Sequence, residues 1–558
     1  MFIVKRDGTQ VPFDKQKIVN AINSAFLDVD GILYETDTAE DIADEIEVLV
    51  MKSSSDITVE SIQNCVEDFL MRSERRDVAR AYIRYRYKKE VARNYSNEFL
   101  GAISEKLQAS NVQNQNANVD EHSFGGRMGE ATELLTKRYA LDFCVSPMAK
   151  ANHENNEVYI HDLGAYAVGM HNCLSVPFDD LLANGFNTRQ TDVRAANSAN
   201  TAFQLVAVLF QLQSLQQFGG VSATHLDWTM VPYIRKSFFK HYVVAYLKTT
   251  PDFLGLDLMG MLFDNYRDEA GIMRNRFEDW VDENKAMFLD KFGLTEESFR
   301  LDNKVALDPV FYQSALYDTI VETKQAVEGM YHNLNTLQSR SGNQLPFTSI
   351  NYGTCTSPEG RLVIKALIDG SLKGTGRLRK TSIFPCGIFQ IMSGVNKEPG
   401  TPNYDLKRMA LQSTATRLYP NYANVDWSGN AGYDVNDPCT YFSTMGCRTA
   451  NGWDINGLGQ RKDGRGNICP VTVIMPTLAM QAVKYYETMP CGDIEEDTIE
   501  FFMQLLDVKI HEAKDMLLER FEYICSQSAS AAKFMYENGT MTGYDGKDIR
   551  SALKHGTL

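Results

Sequence analysis

Two cysteines carry the chemistry that this sequence offers. Cys447 lies in Tyr441-Phe442-Ser443-Thr444-Met445-Gly446-Cys447-Arg448-Thr449, where Gly446 lets the backbone approach a ligand and Arg448 can meet an anion. Cys173, in His171-Asn172-Cys173-Leu174, is a candidate thiol partner, and Asn467 follows in Asp463-Gly464-Arg465-Gly466-Asn467. A cysteine in a small-residue loop of this kind is placed for chemistry rather than for packing. The competing reading of any free cysteine is a buried, inert thiol, and packing is the favoured reading for Cys355, Cys386, Cys439 and Cys469. His161-Asp162 ends an alternating run, Glu157 to Leu163, and reads equally as a proton shuttle or a buried structural pair.

The elements that must position these groups follow from pattern. The 558 residues are 44% hydrophobic, enough for a large core. A net charge of −16 without long single-sign blocks argues against nucleic-acid or membrane-surface binding. The N-terminus shows no signal-peptide pattern, and ten scattered cysteines suit a reducing compartment, so a cytoplasmic protein is expected. No C-x-x-C occurs, and no metal-ligating set is picked out. Residues 198–218 read as a core helix stopped by Gly219-Gly220. Strands are predicted at 344–350, 382–385 and 471–476, the last a buried one. Helices follow at 357–373, 404–417, from 477, and over 496–533. Strands alternating with helices argue for an α/β domain with a parallel sheet.

The first 92 residues differ in character. Asp7-Gly8 between two short β-prone runs predicts a hairpin, and helical patterns follow at 14–28, 38–53, 57–72 and 75–92. Lys5, Arg6 and Lys17 could converge on a phosphate group, with a solvated basic turn as the alternative. The string Val4-Lys5-Arg6-Asp7-Gly8, with Phe13-Asp14, Lys17-Ile18 and Arg80-Ala81-Tyr82-Ile83-Arg84-Tyr85-Arg86, resembles the ATP-cone, a mainly helical regulatory module with a hairpin lid that binds ATP or dATP. The resemblance implies domains at 1–92 and 93–558, and nucleotide contacts from Lys5, Arg6 and Lys17. The polar run Gln108 to Asn118, with Asn114-Gln115-Asn116-Ala117-Asn118, reads as a loop near the start of the second domain.

His161-Asp162, Asn172-Cys173, Phe384-Pro385, Pro402-Asn403-Tyr404-Asp405, Met445-Gly446-Cys447-Arg448 and Asp463-Gly464-Arg465-Gly466-Asn467 stand in the order seen in class III, anaerobic ribonucleotide reductases. That resemblance implies a ten-stranded α/β barrel of the glycyl-radical type, in two antiparallel halves. It implies reduction of ribonucleoside triphosphates to deoxyribonucleoside triphosphates under ATP/dATP control, for DNA precursor synthesis. Cys447 would be the thiyl residue on a finger loop, Cys173 the hydrogen donor on the opposite face, and Asn467 a hydrogen-bonding partner of substrate or reductant. His161, Asn172, Met445, Gly446 and Arg448 would line the substrate. A radical-SAM iron–sulfur activating enzyme, dNTP effectors and a homodimer are the implied partners. Formate or a dithiol protein would supply the electrons.

The sequence stops at Leu558 without the family's remaining strands, four-cysteine zinc site and radical-storing glycine loop. The expectation is therefore a C-terminally incomplete barrel that needs a further fragment for turnover. Two other readings stay open: a nucleotide-binding fragment without catalysis, and a different glycyl-radical enzyme, against which the ATP-cone speaks.

Overall fold

The computed structural model describes residues 2–5, 9–31, 37–52, 57–108, 123–169, 171–249, 260, 263–337, 345–446, 449–488 and 494–558. Arg6, the Asp7-Gly8 turn, the asparagine-rich run 114–118, Cys447 and Arg448 lie outside the described residues. Contacts divide the chain into two units, Met1–Ser110 and Asn111–Leu558.

In the first unit β1 (Phe2–Val4) pairs antiparallel with β2 (Gln10–Pro12), and four helices follow: α1 (Lys15–Asp30), α2 (Asp37–Lys52), α3 (Val59–Arg72) and α4 (Arg76–Gln108). Their starts are written in side chains that satisfy orphan backbone donors. The Asp14 carboxylate accepts from the Gln16 N–H, and Thr58 and Ser61 form a reciprocal capping box. Ile22, Phe26, Ile46, Val66 and Leu70 fill the core, and the Val4 N–H donates to Ile57 O at 2.9 Å, tying the hairpin to the approach of α3. The fourth helix runs past its predicted end at 92, since residues 93–107 contain one glycine and no proline to stop it.

The second unit opens its strands with β3 (Val158–Ile160). Its principal sheet comprises β4 (Cys173–Ser175), β5 (Val221–Ala223), β6 (Thr348–Tyr352), β7 (Cys386–Ile391), β8 (Asn421–Asn424) and β9 (Arg465–Asn467), in the order β8-β7-β6-β5-β4-β9. The first five are parallel, and β9 alone runs antiparallel, against β4. Parallel neighbours need crossovers. These carry α5 (Ala199–Ser214), α6 (Val231–Leu247), α7 (Pro309–Thr336), α8 (Pro358–Lys373) and α9 (Tyr404–Arg417). α5, α6 and α7 pack together, and α8 lies against α7 and α9. Phe203, Phe210 and Phe238 are fully buried among them. The α/β class is as expected. Five parallel strands and one reversed strand match one half of the expected barrel and the start of the other, and among the described residues the sheet is open. On the free side of β9, Thr557 forms a parallel bridge with Asn467, with backbone hydrogen bonds of 2.8 Å from Thr557 N to Gly466 O and from Ile468 N to Thr557 O.

Three predicted elements shift. Residues 382–385 are not a strand, because the Asn335 side-chain amide, rather than a ladder, binds the backbone of Ile383 and Phe384. β7 starts after that clasp. The strand expected to be buried at 471–476 is the half-exposed β10 (Val471–Val473), which pairs only with β3 in a ribbon. Val471 and Val473 pack inward while Thr472 is exposed, the alternation of a one-sided ribbon. The last long helix, α10 (Ile494–Cys525), ends before Ser528, whose hydroxyl caps the 3₁₀ turn Ala529–Ala532. Among the described residues no helix is long and apolar enough to cross a membrane.

Candidate active site

One face of the parallel sheet is lined by polar side chains although it is buried. Period-two alternation puts Ser349 and Asn351 on one side of β6 and Ile350 and Tyr352 on the other. In register, Ser349 lies between Ser222 of β5 and Cys386 of β7, and Ser222 Oγ is 2.8 Å from Ser175 Oγ of β4. Cys173 and Gln390 continue the same face two residues before Ser175 and two after Ile388. A buried polar face is costly unless something pairs with it.

What pairs with it is the loop that leads to Cys447. Asn351 Nδ2 donates to Thr444 O at 3.0 Å, and Asn351 Oδ1 accepts from the Thr444 N–H at 3.1 Å. Gln390 Nε2 donates to Phe442 O at 2.9 Å. Two strand amides thus hold the main chain of residues 442–444 across the face. Met445 bridges antiparallel to Thr449. Gly446, at φ +59°, takes a left-handed turn that other residues resist, and a Cβ there would sit 3.8 Å from Cys173 Sγ. Cys447 itself lies outside the described residues, but the residue before it is set beside Cys173. Ser349 Oγ, Gln390 Oε1 and Thr444 Oγ1 are buried on this face without a protein partner among the described residues, which is the condition a bound polar ligand relieves.

Cys173 is held by Asn172 and Gly220. Its S–H donates to Asn172 Oδ1 at 2.8 Å, and the Gly220 N–H donates to its sulfur at 3.3 Å. Asn172 Nδ2 in turn donates to the Asp162 carboxylate. Cys173 and Asn467 are directly opposite in the β4–β9 pair, so their side chains share a face. Gly219-Gly220, read as a helix stop, does more than that. A Cβ on Gly219 would meet Asn172 O at 2.2 Å, and one on Gly220 would meet Gly446 Cα at 2.9 Å. These glycines let three backbone segments meet behind and above the sulfur.

Other predicted residues fall nearby or elsewhere. His161 is half-buried and bonds Thr472 Oγ1 through Nε2 at 2.7 Å, whereas Asp162 binds Asn172. The His161-Asp162 pair is therefore split between two partners. Both line a small cavity with Asn172, Cys469 and Arg520. Cys355 and Cys469 are buried, and burial pushes both thiols up to about 12, in keeping with packing. Cys439 departs from that reading, with its sulfur facing His225 Nε2 at 3.8 Å. In the first unit Lys5 is exposed at the hairpin end, and Lys17 in the first turn of α1 lies 3.8 Å from Asp14. Asn351, Gln390 and Ser349 escaped the sequence reading. Their one signal is polar alternation inside a strand that is otherwise apolar.

A second feature is a cleft of about 710 Å³ between α6 and the segment 274–299. Arg194, Arg235, Lys236, Lys240, Arg274 and Lys285 line it, against one carboxylate, Glu297. On a chain of net charge −16 such a concentration of cations opposes the global sign and suits a polyanion.

Next to the site, His171 is buried, with Nε2 3.0 Å from Tyr536 OH and no protein partner for Nδ1 among the described residues. Burial, with the Arg520 guanidinium adding to it, lowers its pKa to about 4. An unfolded histidine titrates near about 6.5. Above that pH the group contributes nothing. As pH falls from about 6.5 to about 4 the unfolded chain takes a proton that the fold refuses, and stability drops by about 3 kcal/mol. His171→Asn is expected to remove that part of the acid sensitivity. Urea unfolding of both proteins at about pH 7 and about pH 4.5 checks it, and equal losses in the two would refute the assignment.

Comparison with known proteins bears on both units. The family described as "Anaerobic ribonucleoside-triphosphate reductase" matches residues 115–558, and the ATP cone domain matches residues 1–91. The anaerobic ribonucleoside-triphosphate reductases of Haemophilus influenzae and Escherichia coli are each 26% identical, over 542 and 544 residues, covering 96% of this chain. The chain spans 65% of the length of either relative. Among solved structures, the anaerobic ribonucleotide reductase from Thermotoga maritima in complex with dATP and CTP is similar with a TM-score of 0.47 and 13% identity, over 81% of this chain and 64% of that one.

Proposed function

We propose, for a chain that belongs to the anaerobic ribonucleoside-triphosphate reductase family, that it reduces ribonucleoside triphosphates to deoxyribonucleoside triphosphates under ATP/dATP control. The observation that carries this reading is the loop at 442–444, held by Gln390 and Asn351, with Gly446 set beside Cys173, which stands opposite Asn467 in the β4–β9 pair. Loss of a 2′-hydroxyl has no easy ionic route, whereas removing the 3′-hydrogen first makes departure of water accessible. Cys447 is the residue proposed to take that hydrogen, and Cys173 to return one from the other face. The net change is two electrons and two protons in, one water out. Asn172 keeps the Cys173 hydrogen directed within the site, and Asn467 offers an amide to the substrate or reductant.

In the family a glycyl radical, generated by a radical-SAM iron–sulfur enzyme, supplies the one-electron chemistry. The family's four-cysteine zinc finds no fit among the described residues, whose one convergent group of three metal-type donors is Asp179, His225 and Cys439. The reading includes that activating enzyme as partner, a homodimer, and a cytoplasmic setting. All eight described cysteines are free, as a reducing compartment requires.

Two effector positions belong to the proposal. Lys5, Arg6 and Lys17 would hold the phosphates of ATP or dATP in the N-terminal unit, and the cationic cleft lined by Lys236 and Lys240 would hold a second triphosphate. Reversing both charges, Lys236→Glu with Lys240→Glu, is expected to weaken one class of dNTP site by about tenfold or more while ATP binding at the N-terminal unit persists. Equilibrium binding with labelled dNTP and ATP distinguishes the two, and unchanged dNTP affinity removes the cleft from the proposal. The function itself is tested by assaying deoxynucleotide formation anaerobically, with the activating enzyme, S-adenosylmethionine, reductant and a C-terminal fragment of the family. Absence of product together with absence of ATP and dATP binding would overturn it.

A further inference from the structure

Three donor atoms of different residues meet at the base of the loop that leads to Cys447. His225 follows β5 and is 4% exposed. Asp179 stands in the first turn of the helix Phe178–Asn184 after β4, and Cys439 in the turn Pro438–Thr440. His225 Nε2 is 3.1 Å from Asp179 Oδ2 and 3.8 Å from Cys439 Sγ, and the three ligand atoms all lie within 4.8 Å of one another.

The geometry is not that of a nucleophile relay. In a relay, thiol and carboxylate occupy opposite nitrogens of the imidazole, so that one receives the proton and the other orients the ring. Here both face Nε2, while Nδ1 is 2.7 Å from Thr224 Oγ1. A histidine whose Nδ1–H is engaged by an oxygen presents a bare lone pair at Nε2, and that lone pair then confronts a carboxylate oxygen and a sulfur. Three groups pointed at one spot need either a proton on Nε2 or a metal ion between them. Bond lengths of about 2.0–2.3 Å to N, O and S place tetrahedral ligand atoms about 3.3–3.6 Å apart, near the 3.1 and 3.8 Å that separate His225 Nε2 from Asp179 Oδ2 and Cys439 Sγ. The hydroxyl on Nδ1 is the usual outer partner of a ligating histidine.

We propose that Asp179, His225 and Cys439 bind one divalent transition-metal ion of the zinc type, with a fourth position open to solvent on the Asp179 side. Mixed nitrogen, sulfur and oxygen donors suit borderline-soft ions such as zinc and iron over magnesium or calcium. Binding converts the Cys439 thiol to a thiolate, and its proton leaves to buffer. No electron is transferred. The ion joins the turn 438–440 to the ends of β4 and β5, fixing the root of the loop whose other end reaches Gly446. The assignment is independent of the reductase reading.

Titrating the chelator-stripped, reduced full chain with Co²⁺ under anaerobic conditions tests this. One ion per chain is expected to bind, with a thiolate-to-cobalt charge-transfer band, tetrahedral d–d absorption and release of a proton, all reversed by Zn²⁺. Cys439→Ser should abolish the charge-transfer band and weaken Co²⁺ binding by about tenfold or more, and Asp179→Asn should keep the band with weakened affinity. Cys469→Ser should change neither. Absence of the band in the unmodified chain, as a proton shared at His225 alone would give, overturns the proposal. So does a band and affinity untouched by Asp179→Asn, an exposed position whose replacement does not threaten the core.

Discussion

Cys173→Ser is expected to cut deoxynucleotide formation by about 10³-fold or more, equivalent to about 4 kcal/mol of barrier, while the fold and ATP affinity stay as they were. The hydroxyl can repeat both contacts of the thiol, donating to Asn172 Oδ1 and accepting from the Gly220 N–H. What it cannot repeat is the weak S–H bond that makes hydrogen-atom donation to a carbon radical favourable. Product formation per activated chain, set beside thermal unfolding and ATP binding, measures the three quantities separately. Activity above about one-tenth of the parent would remove Cys173 from the chemistry.

Gly220→Ala tests placement instead of reactivity. The new Cβ would lie 2.9 Å from Gly446 Cα and 2.9 Å from Phe347 Cδ1. Phe347 can turn, but the Gly446 backbone must move, and with it the residue that follows. A displacement of this order at reacting groups costs about 10²-fold, whereas the packing strain costs about 1–3 kcal/mol of stability. Gly452→Ala is the control, since a Cβ there meets nothing within 4 Å and no positive φ is involved. Comparable turnover in the two variants would show that the loop tip tolerates movement, against the proposed role of its contact with Cys173.

How far the sequence spoke for itself depended on whether a signal was local. The helices over 358–373 and 404–417 were legible because the Ser357-Pro358 start, Gly374 at φ +71° and the helical periodicity all lie within one segment. Residues 382–385 misled for the same reason in reverse. Their apolar run resembles a strand, but Asn335, 48 residues upstream of Ile383, claims their backbone. At the site, Cys173 was legible from residue type and Asn467 from the family resemblance, and strand pairing puts them opposite each other. Asn351 and Gln390 were not, because a buried amide in a strand gives no sign of which loop it will hold. Cys439 read as packing since its companions, His225 and Asp179, are 214 and more residues away. Gly219-Gly220 ends a helix in the sequence. Only the folded chain shows the two backbones that a methyl group there would strike.

The bridge between Thr557 and Asn467 has a practical corollary. Residues 555–557 are woven into the protein by the hydrogen bond between His555 Nδ1 and Asp454 Oδ2 at 2.8 Å, the Arg465 guanidinium on His555 O, and the two main-chain bonds to β9. A protease nick at this segment would take a neighbour from the strand that carries Asn467 and leave its edge bare for sticking to another molecule.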